Sequence, residues 1–105
     1  MRFVETPLFT KEVRSAFGDE DYRALQLALL LRPEQGTLIQ GTGGLRKIRW
    51  GGKGHGKSGG YRIIYYWDRP TETVFMLYAY PKNRQVDLTA SQKKVLRQLV
   101  QEEFG

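Results

Sequence analysis

Residues 45–66 read LRKIRWGGKGHGKSGGYRIIYY and predict much of the architecture of this chain. A cationic strand, a glycine-rich loop and a second strand that carries an arginine follow one another, which is typical of a β-hairpin. Residues 45–69 hold seven Lys or Arg against one Asp, whereas residues 1–44 and 70–105 are each within one charge of neutrality. The net charge of +6 therefore lies on this hairpin. A fold does not need such clustering, whereas a polyanionic partner does.

The length and composition of the chain limit the possible classes of protein. A chain of 105 residues predicts a single domain over residues 1–105, with one modest core. The absence of cysteine excludes disulfides and thiol catalysis, and with a single histidine it argues against a zinc site, so we expect no metal and no cofactor.

The sequence also indicates where the protein works. No apolar run reaches the roughly 20 residues that span a bilayer, and no secretory signal is visible at the N-terminus. The basic residues do not lie on an amphipathic helix, which argues against a membrane surface. We therefore expect a cytoplasmic protein whose partner is nucleic acid, the ribosome or an acidic protein.

The first half of the chain predicts a short strand and two helices. The Thr-Pro pair at residues 6–7 opens the first helix as N-cap and first helical residue, and Gly18 ends it. The acidic residues 19–21 open the second helix, and the Arg-Pro pair at residues 32–33 ends it. The expected apolar stripes are Phe9, Val13 and Phe17 on the first helix, and Tyr22, Leu25, Leu29, Leu30 and Leu31 on the second.

The second half predicts three strands and one helix. Residues 36–44 are expected to form a loop, and residues 45–50, 61–67 and 73–80 to form strands, two of them apolar on both faces. A capping box at residues 89–92 opens the last helix. Its expected apolar side consists of Val95, Leu96, Leu99, Val100 and Phe104. The order β-α-α-β-β-β-α predicts an α+β fold, an antiparallel meander with two N-terminal helices and one C-terminal helix on one face.

The glycine loop admits three interpretations. Residues 51–58 match the P-loop pattern G-x-x-x-x-G-K-[ST], but a P-loop must open a helix, and here two glycines and a strand follow, so we reject a nucleotide-hydrolase site. The second interpretation is a flexible loop with solvated lysines. It explains Arg62 badly, because an unpaired charge inside an apolar strand is costly.

The third interpretation is a phosphate-binding site on one face of the sheet. Lys47 and Arg49 alternate along their strand, so both point to the same side. Lys53 and Lys57 lie on a glycine-rich backbone that lets a ligand approach closely. If such cations bind the phosphates of single-stranded RNA, the affinity for RNA should fall as the salt concentration rises.

Three segments taken together resemble a known family. Residues 39–49 (IQGTGGLRKIR), 53–66 (KGHGKSGGYRIIYY) and 78–89 (YAYPKNRQVDLT) resemble the RelE/HigB superfamily of bacterial toxins, and most closely its HigB-like branch. The resemblance implies a RelE-like fold and the toxin of a type II toxin–antitoxin system. Such toxins typically enter the ribosomal A site and cleave mRNA there. The implied partners are the ribosome, mRNA and a cognate HigA-like antitoxin with a helix-turn-helix. The toxin is expected to contact operator DNA only through this antitoxin.

The residue inventory then suggests a chemistry without metal, in which the RNA's own 2′-OH attacks the phosphodiester. Arg62, at the position that matches the family's phosphate-binding arginine, is expected to hold the scissile phosphate. Lys57 and Lys82 are candidates for proton transfer or transition-state stabilisation, and Tyr80 for an acid or a stacking residue. His55 suits acid–base chemistry by its pKa but lies at a loop tip, so it is placed as a contact. The other expected RNA or ribosome contacts are Arg46, Lys47, Arg49, Lys53 and Arg84.

Two other functions stay open at this point. A ParE-like relative would share the fold and poison DNA gyrase, but that branch generally lacks the full basic set around Arg62 and Lys82. A non-catalytic RNA-binding module would keep the basic hairpin without the cleavage chemistry.

Overall fold

A computed structural model describes residues 1–51 and 60–105 of the protein. Within these residues it shows five strands and three helices, in an order close to the predicted one. They are β1 (Arg2–Glu5), α1 (Pro7–Ala16), α2 (Asp19–Leu31), β2 (Thr37–Leu38), β3 (Leu45–Trp50), β4 (Tyr61–Asp68), β5 (Thr73–Pro81) and α3 (Ala90–Phe104). None of these helices is both long and apolar enough to cross a lipid bilayer.

The helix boundaries follow from local capping, as predicted. The hydroxyl of Thr6 accepts a hydrogen bond from the N–H of Phe9 at 3.0 Å and donates one to the C=O of Leu77 at 2.7 Å, which ties the start of α1 to β5. Thr89 and Gln92 form the predicted reciprocal capping box of α3. The C-cap of α2 is Arg32, directly before a proline.

The strands form one sheet in the order β1-β5-β4-β3-β2. The pairs β2–β3, β3–β4 and β4–β5 are antiparallel, and β1 runs parallel to β5 at the other edge. Strand β2 lies in a segment for which we predicted only a loop. Two residues are too few to show an alternating pattern, and only the pairing of Thr37 with Lys47 and of Leu38 with Arg46 defines this strand.

The helices cover both faces of the sheet, so the prediction of helices on one face is wrong. Helices α1 and α2 pack on one face, here called the α1/α2 face, and α3 packs on the other, the α3 face. Alternate residues of β4 and β5 enter the two cores, because these central strands are apolar on both sides. On the α1/α2 face the sheet contributes Ile63, Tyr65, Val74, Met76 and Ala79; on the α3 face it contributes Leu45, Ile64, Phe75, Leu77 and Tyr80.

The predicted apolar stripes were too wide on two helices. Leu29 is buried, but Leu30 and Leu31 are exposed, and on α3 Val95 is exposed while Leu96 is buried. Neighbouring helix residues differ by about 100° in direction, so consecutive apolar residues cannot all face one core.

A β-bulge in β5 changes which side chains reach the α3 face. Ile64 pairs with Tyr78, whereas Tyr65 pairs with Met76, so Leu77 is an extra residue in β5. Both Leu77 and Tyr78 therefore belong to the core under α3, and so does Tyr80. Without the bulge, simple alternation would send Tyr80 to the α1/α2 face.

The connection from α2 to β2 is fixed by a buried tyrosine. The hydroxyl of Tyr65 accepts a hydrogen bond from the N–H of Gly36 at 2.9 Å and donates one to the C=O of Pro33 at 2.8 Å. A Cβ atom at Gly36 would lie 2.7 Å from that hydroxyl, which explains the glycine. Arg46 supports the same turn by donating to the C=O groups of Glu34 and Gly36 at 2.9 and 2.8 Å.

This contact predicts the effect of Tyr65→Phe on stability. Removing the hydroxyl leaves a buried N–H and a C=O without partners, so the free energy of unfolding should fall by about 1–3 kcal/mol. Tyr66→Phe is the matched control, since the hydroxyl of Tyr66 has no hydrogen-bond partner among residues 1–51 and 60–105, and its effect should stay within about 0.5 kcal/mol. Urea unfolding of both variants measures the difference; equal losses would contradict the assigned role.

Candidate functional site

Three cationic side chains share the α3 face near the ends of β3 and β4. Arg49 pairs directly with Arg62 across the β3–β4 ladder, and Lys47 pairs with Ile64, whose side chain belongs to the α3 core. Directly opposite residues point to the same side of a sheet, with Cβ atoms about 4.5–5.5 Å apart. This geometry confirms that Lys47 and Arg49 face the same side, and it adds Arg62 to them.

Arg62 has no counter-charge among the described residues. It is half-buried, and its Nη1 atom is buried without a hydrogen-bond partner in the described part of the chain. The ion pairs of that part, Lys47 with Asp87 and Arg84 with Glu12, do not include it. A buried donor that stays unpaired costs free energy, so folding does not explain this arginine, whereas a bound anion would.

Two neighbouring cavities meet at Lys47. One, of about 410 Å³, is lined by the three cations Lys47, Arg49 and Arg62 together with the start of β2. The other, of about 300 Å³, lies between Lys47 and Asp87 and reaches the first turn of α3. We call them the phosphate cavity and the side cavity. The phosphate cavity is positive throughout its charged lining, which suits the oxygens of a phosphodiester.

Tyr80 is the immediate neighbour of Arg62 on β5 and is almost fully buried, with 1% of its surface exposed. Burial raises the pKa of its phenol, and the carboxylate of Asp87 raises it further, while Arg62 acts in the opposite direction. The phenol is therefore protonated at neutral pH, and its hydroxyl donates to the C=O of Val86 at 3.4 Å. With so little of its surface exposed, Tyr80 offers a base little ring surface for stacking. Both roles predicted for it, acid and stacking residue, stay predictions.

Lys82 lies at the same end of the sheet. Its backbone N–H donates a hydrogen bond to the C=O of Gly60 at 3.1 Å. This bond continues the β4–β5 ladder by one pair beyond the last strand residue. Its side chain is exposed two residues after Tyr80. The expected site residues Lys53, His55 and Lys57 lie outside the described residues.

The structure does not bring Arg46 and Arg84 to this site. Arg46 lies on the α1/α2 face, where its guanidinium holds the α2–β2 turn. Arg84 pairs with Glu12 of α1 at 3.3 Å, and Glu12 also contacts Tyr61, whose ring packs against Phe17 on the same face. Their predicted contacts with RNA or ribosome stay predictions, and any such contact would be made on the other side of the sheet.

Sequence reasoning missed Asp87 and Lys93. Asp87 forms an ion pair with Lys47 at 3.5 Å, and both acidic and basic side chains line the side cavity. Asp87 follows the last strand, 40 residues after Lys47, and Lys93 lies further along the chain on α3, so no local pattern connects them to Lys47. Within the described residues, no group of three His, Asp or Glu side chains is arranged to hold a metal ion.

Three solved structures with a similar fold are RelE toxins, alone or in complex with RelB. The isolated E. coli RelE toxin has a TM-score of 0.57 at 18% identity, over 92% of this chain and 96% of that one. A mutant of E. coli RelE in the free state has a TM-score of 0.56 at 20% identity, over 79% and 84%. The RelE–RelB complex of Pyrococcus horikoshii OT3 gives 0.51 at 24% identity, over 80% and 97%. At these identities the likeness concerns the fold alone.

The sequence comparison identifies the family. In the part that the structure describes, the protein is a small α+β protein of three helices and one five-stranded sheet. Its cationic cavity, with an arginine that is unpaired in that part, is suited to binding an anion. Residues 1–104 match the family described as the RelE toxin of the RelE/RelB toxin–antitoxin system, and the chain belongs to that family. The predicted superfamily and RelE-like fold are thus confirmed, while the HigB-like branch stays a prediction.

Because Arg62 is unpaired, we expect that replacing it and replacing Arg46, on the adjacent strand, will change the free energy of unfolding in opposite directions. Arg62→Met removes a partly buried, unpaired charge, so the free energy of unfolding should rise by about 1 kcal/mol. Arg46→Met, the matched control, removes two hydrogen bonds to backbone C=O groups and should lower it by about 1–3 kcal/mol. Urea unfolding of the two variants measures this; a loss at Arg62 as large as that at Arg46 would mean that Arg62 is a structural residue.

Proposed function

We propose that this protein is the toxin of a type II toxin–antitoxin system and acts as a ribosome-dependent mRNA endoribonuclease. The observation that carries the proposal is Arg62, whose Nη1 is buried without a partner among the described residues and which lines a cavity together with Lys47 and Arg49. Membership of the RelE toxin family supports the toxin role. Single-stranded RNA supplies both the anion that such a cavity binds and a nucleophile of its own.

The proposed reaction is an internal transesterification. The 2′-oxygen forms a bond to phosphorus and the bond to the 5′-oxygen breaks, which gives a 2′,3′-cyclic phosphate and a 5′-hydroxyl. The fork of Arg62 holds two non-bridging oxygens, and Lys47 and Arg49 add positive charge where negative charge accumulates. The 2′-OH loses its proton to a base and the leaving oxygen gains one from an acid, without a metal ion.

The two proton transfers have different candidates. Lys57 and Lys82 remain the proposed lysines for accepting the proton or for stabilising the transition state, and a base role needs a pKa lowered by neighbouring cations. The protonated phenol of Tyr80 beside Arg62 is the proposed acid. Each well-placed acid or base contributes about 10²–10⁴ to the rate.

The proposed partners follow from membership of the RelE toxin family. We propose that a cognate HigA-like antitoxin with a helix-turn-helix neutralises this toxin and alone contacts operator DNA. A relative of the same fold, the toxin of Pyrococcus horikoshii, has been solved as a RelE–RelB complex. When free, the toxin would act on ribosomes in the cytoplasm.

Arg62→Ala should lower ribosome-dependent mRNA cleavage by about 10²–10³, as expected for loss of a donor to the transition-state charge. Arg62→Lys keeps the charge without the planar fork and should lose less. The matched control is Arg69→Ala, because Arg69 is exposed at the turn after β4. Primer extension on an mRNA, with and without ribosomes, measures the cuts and their need for the ribosome.

The result also separates the competing functions. Toxicity that persists in Arg62→Ala would favour a non-catalytic RNA-binding module. Induction of the DNA damage response without mRNA cuts would favour a ParE-like gyrase inhibitor.

Co-expression tests the antitoxin. A small protein encoded beside the toxin gene should restore growth and co-purify with the toxin in a fixed stoichiometry, because a specific interface keeps the toxin from the ribosome. The control is the same small protein carrying a stop codon early in its reading frame. Growth arrest that continues with the intact protein would contradict the proposed pairing.

A further inference from the structure

The side cavity lies next to the place where the scissile phosphate would bind. It shares Lys47 with the phosphate cavity, and its volume is about 300 Å³. A nucleotide attached to a phosphate at Arg62 must lie immediately beside that phosphate. The side cavity is a neighbouring space on the same face of the sheet that is large enough to receive part of it.

The lining of the side cavity combines apolar and polar groups in the way that a nucleobase needs. Ile39, Ile64 and Leu88 provide apolar surface, and Gln40, Lys47 and Asp87 provide polar atoms. A base presents apolar faces and a hydrogen-bonding edge, and proteins read single-stranded RNA by holding the faces and pairing with the edge. A further phosphate would not need the apolar part.

An acidic residue such as Asp87 is not expected on a surface that binds only phosphate. Its carboxylate repels a phosphodiester, and it can only accept hydrogen bonds. Its ion pair with Lys47 spans 3.5 Å, with 38% of the lysine side chain and 68% of the aspartate side chain exposed. Such a pair contributes little to stability, so Lys47 can exchange Asp87 for a phosphate at small cost. The carboxylate is then left in the side cavity as an acceptor.

We infer that the side cavity is a nucleobase subsite adjoining the scissile phosphate and that Asp87 makes it prefer bases with an exocyclic amino group. Guanine offers N1–H and N2–H, adenine offers N6–H and cytosine offers N4–H to an acceptor. Uracil offers only N3–H, between two carbonyl oxygens that repel a carboxylate. The inference rests on the proposed function, because it requires an RNA chain across Arg62, and it assigns Asp87 to base selection.

The test is the base composition around the cuts. Wild-type protein, Asp87→Asn and Asp87→Glu are incubated with the same ribosomes and the same pool of mRNAs, and the cut ends are sequenced. Wild type should disfavour uracil at one position flanking the cut. In Asp87→Asn this bias should fall by about fivefold or more, because an amide also donates to the carbonyls of uracil. Asp87→Glu should keep the bias.

Asp19→Asn is the matched control. It makes the same change of charge at an exposed position on α2, on the opposite face of the sheet, and should leave the base composition unchanged. Thermal unfolding of every variant shows whether it is folded.

Each outcome bears on a different claim. An absence of cuts with wild type would overturn the proposed function together with the subsite. Wild-type cuts without a bias against uracil at either flanking position would overturn the subsite alone, whatever the variants do. An unchanged bias in Asp87→Asn would do the same, and so would a folded Asp87→Asn that no longer cuts, since Asp87 would then act in the chemistry.

Discussion

The hydrogen-bonded position of β4 between β3 and β5 is the constraint on which the rest of the structure depends. Both faces of β4 are buried, so Ile63 and Tyr65 join the α1/α2 core while Ile64 joins the α3 core. A slip of one residue would exchange these faces and is therefore strongly disfavoured. The same register sets Arg62 opposite both Arg49 and Tyr80. The two hydrophobic cores thus determine where the cations lie.

This arrangement places the stabilising contacts and the proposed ligand-binding residue in different parts of one strand. Two arginines directly opposite each other repel, and a buried guanidinium nitrogen without a partner adds to the cost. The apolar centre of β4 provides the burial that keeps the strand in place. Arg46, one strand away, shows the contrast, since its guanidinium is occupied by two backbone carbonyls. The same residue type is structural on one face of the sheet and available to a ligand on the other.

The sequence predicted those features that depend on local chemistry. Thr6 and Thr89 open helices because the cap hydrogen bonds join residues three apart, and Lys47 and Arg49 share a side because strands alternate. Features that depend on distant contacts were not predicted. The two-residue strand β2 is defined only by its partner, and the meeting of Asp87 with Lys47 depends on the whole sheet. The apolar character of both sides of β4 and β5 indicates that helices cover both faces of the sheet, although we predicted helices on one face only.

The extra residue at Leu77 has a consequence for comparing this chain with its relatives. Because Leu77 reverses the alternation of β5, residues before and after it occupy opposite phases of the pleat. An alignment gap moved by a few positions along this strand would equate inward and outward residues, although the number of matched letters would hardly change. Equivalences around Tyr80 should therefore be drawn from the hydrogen-bond ladder. A homologue that lacks only this extra residue would keep the same pairing of β5 with β4 on both sides of the gap.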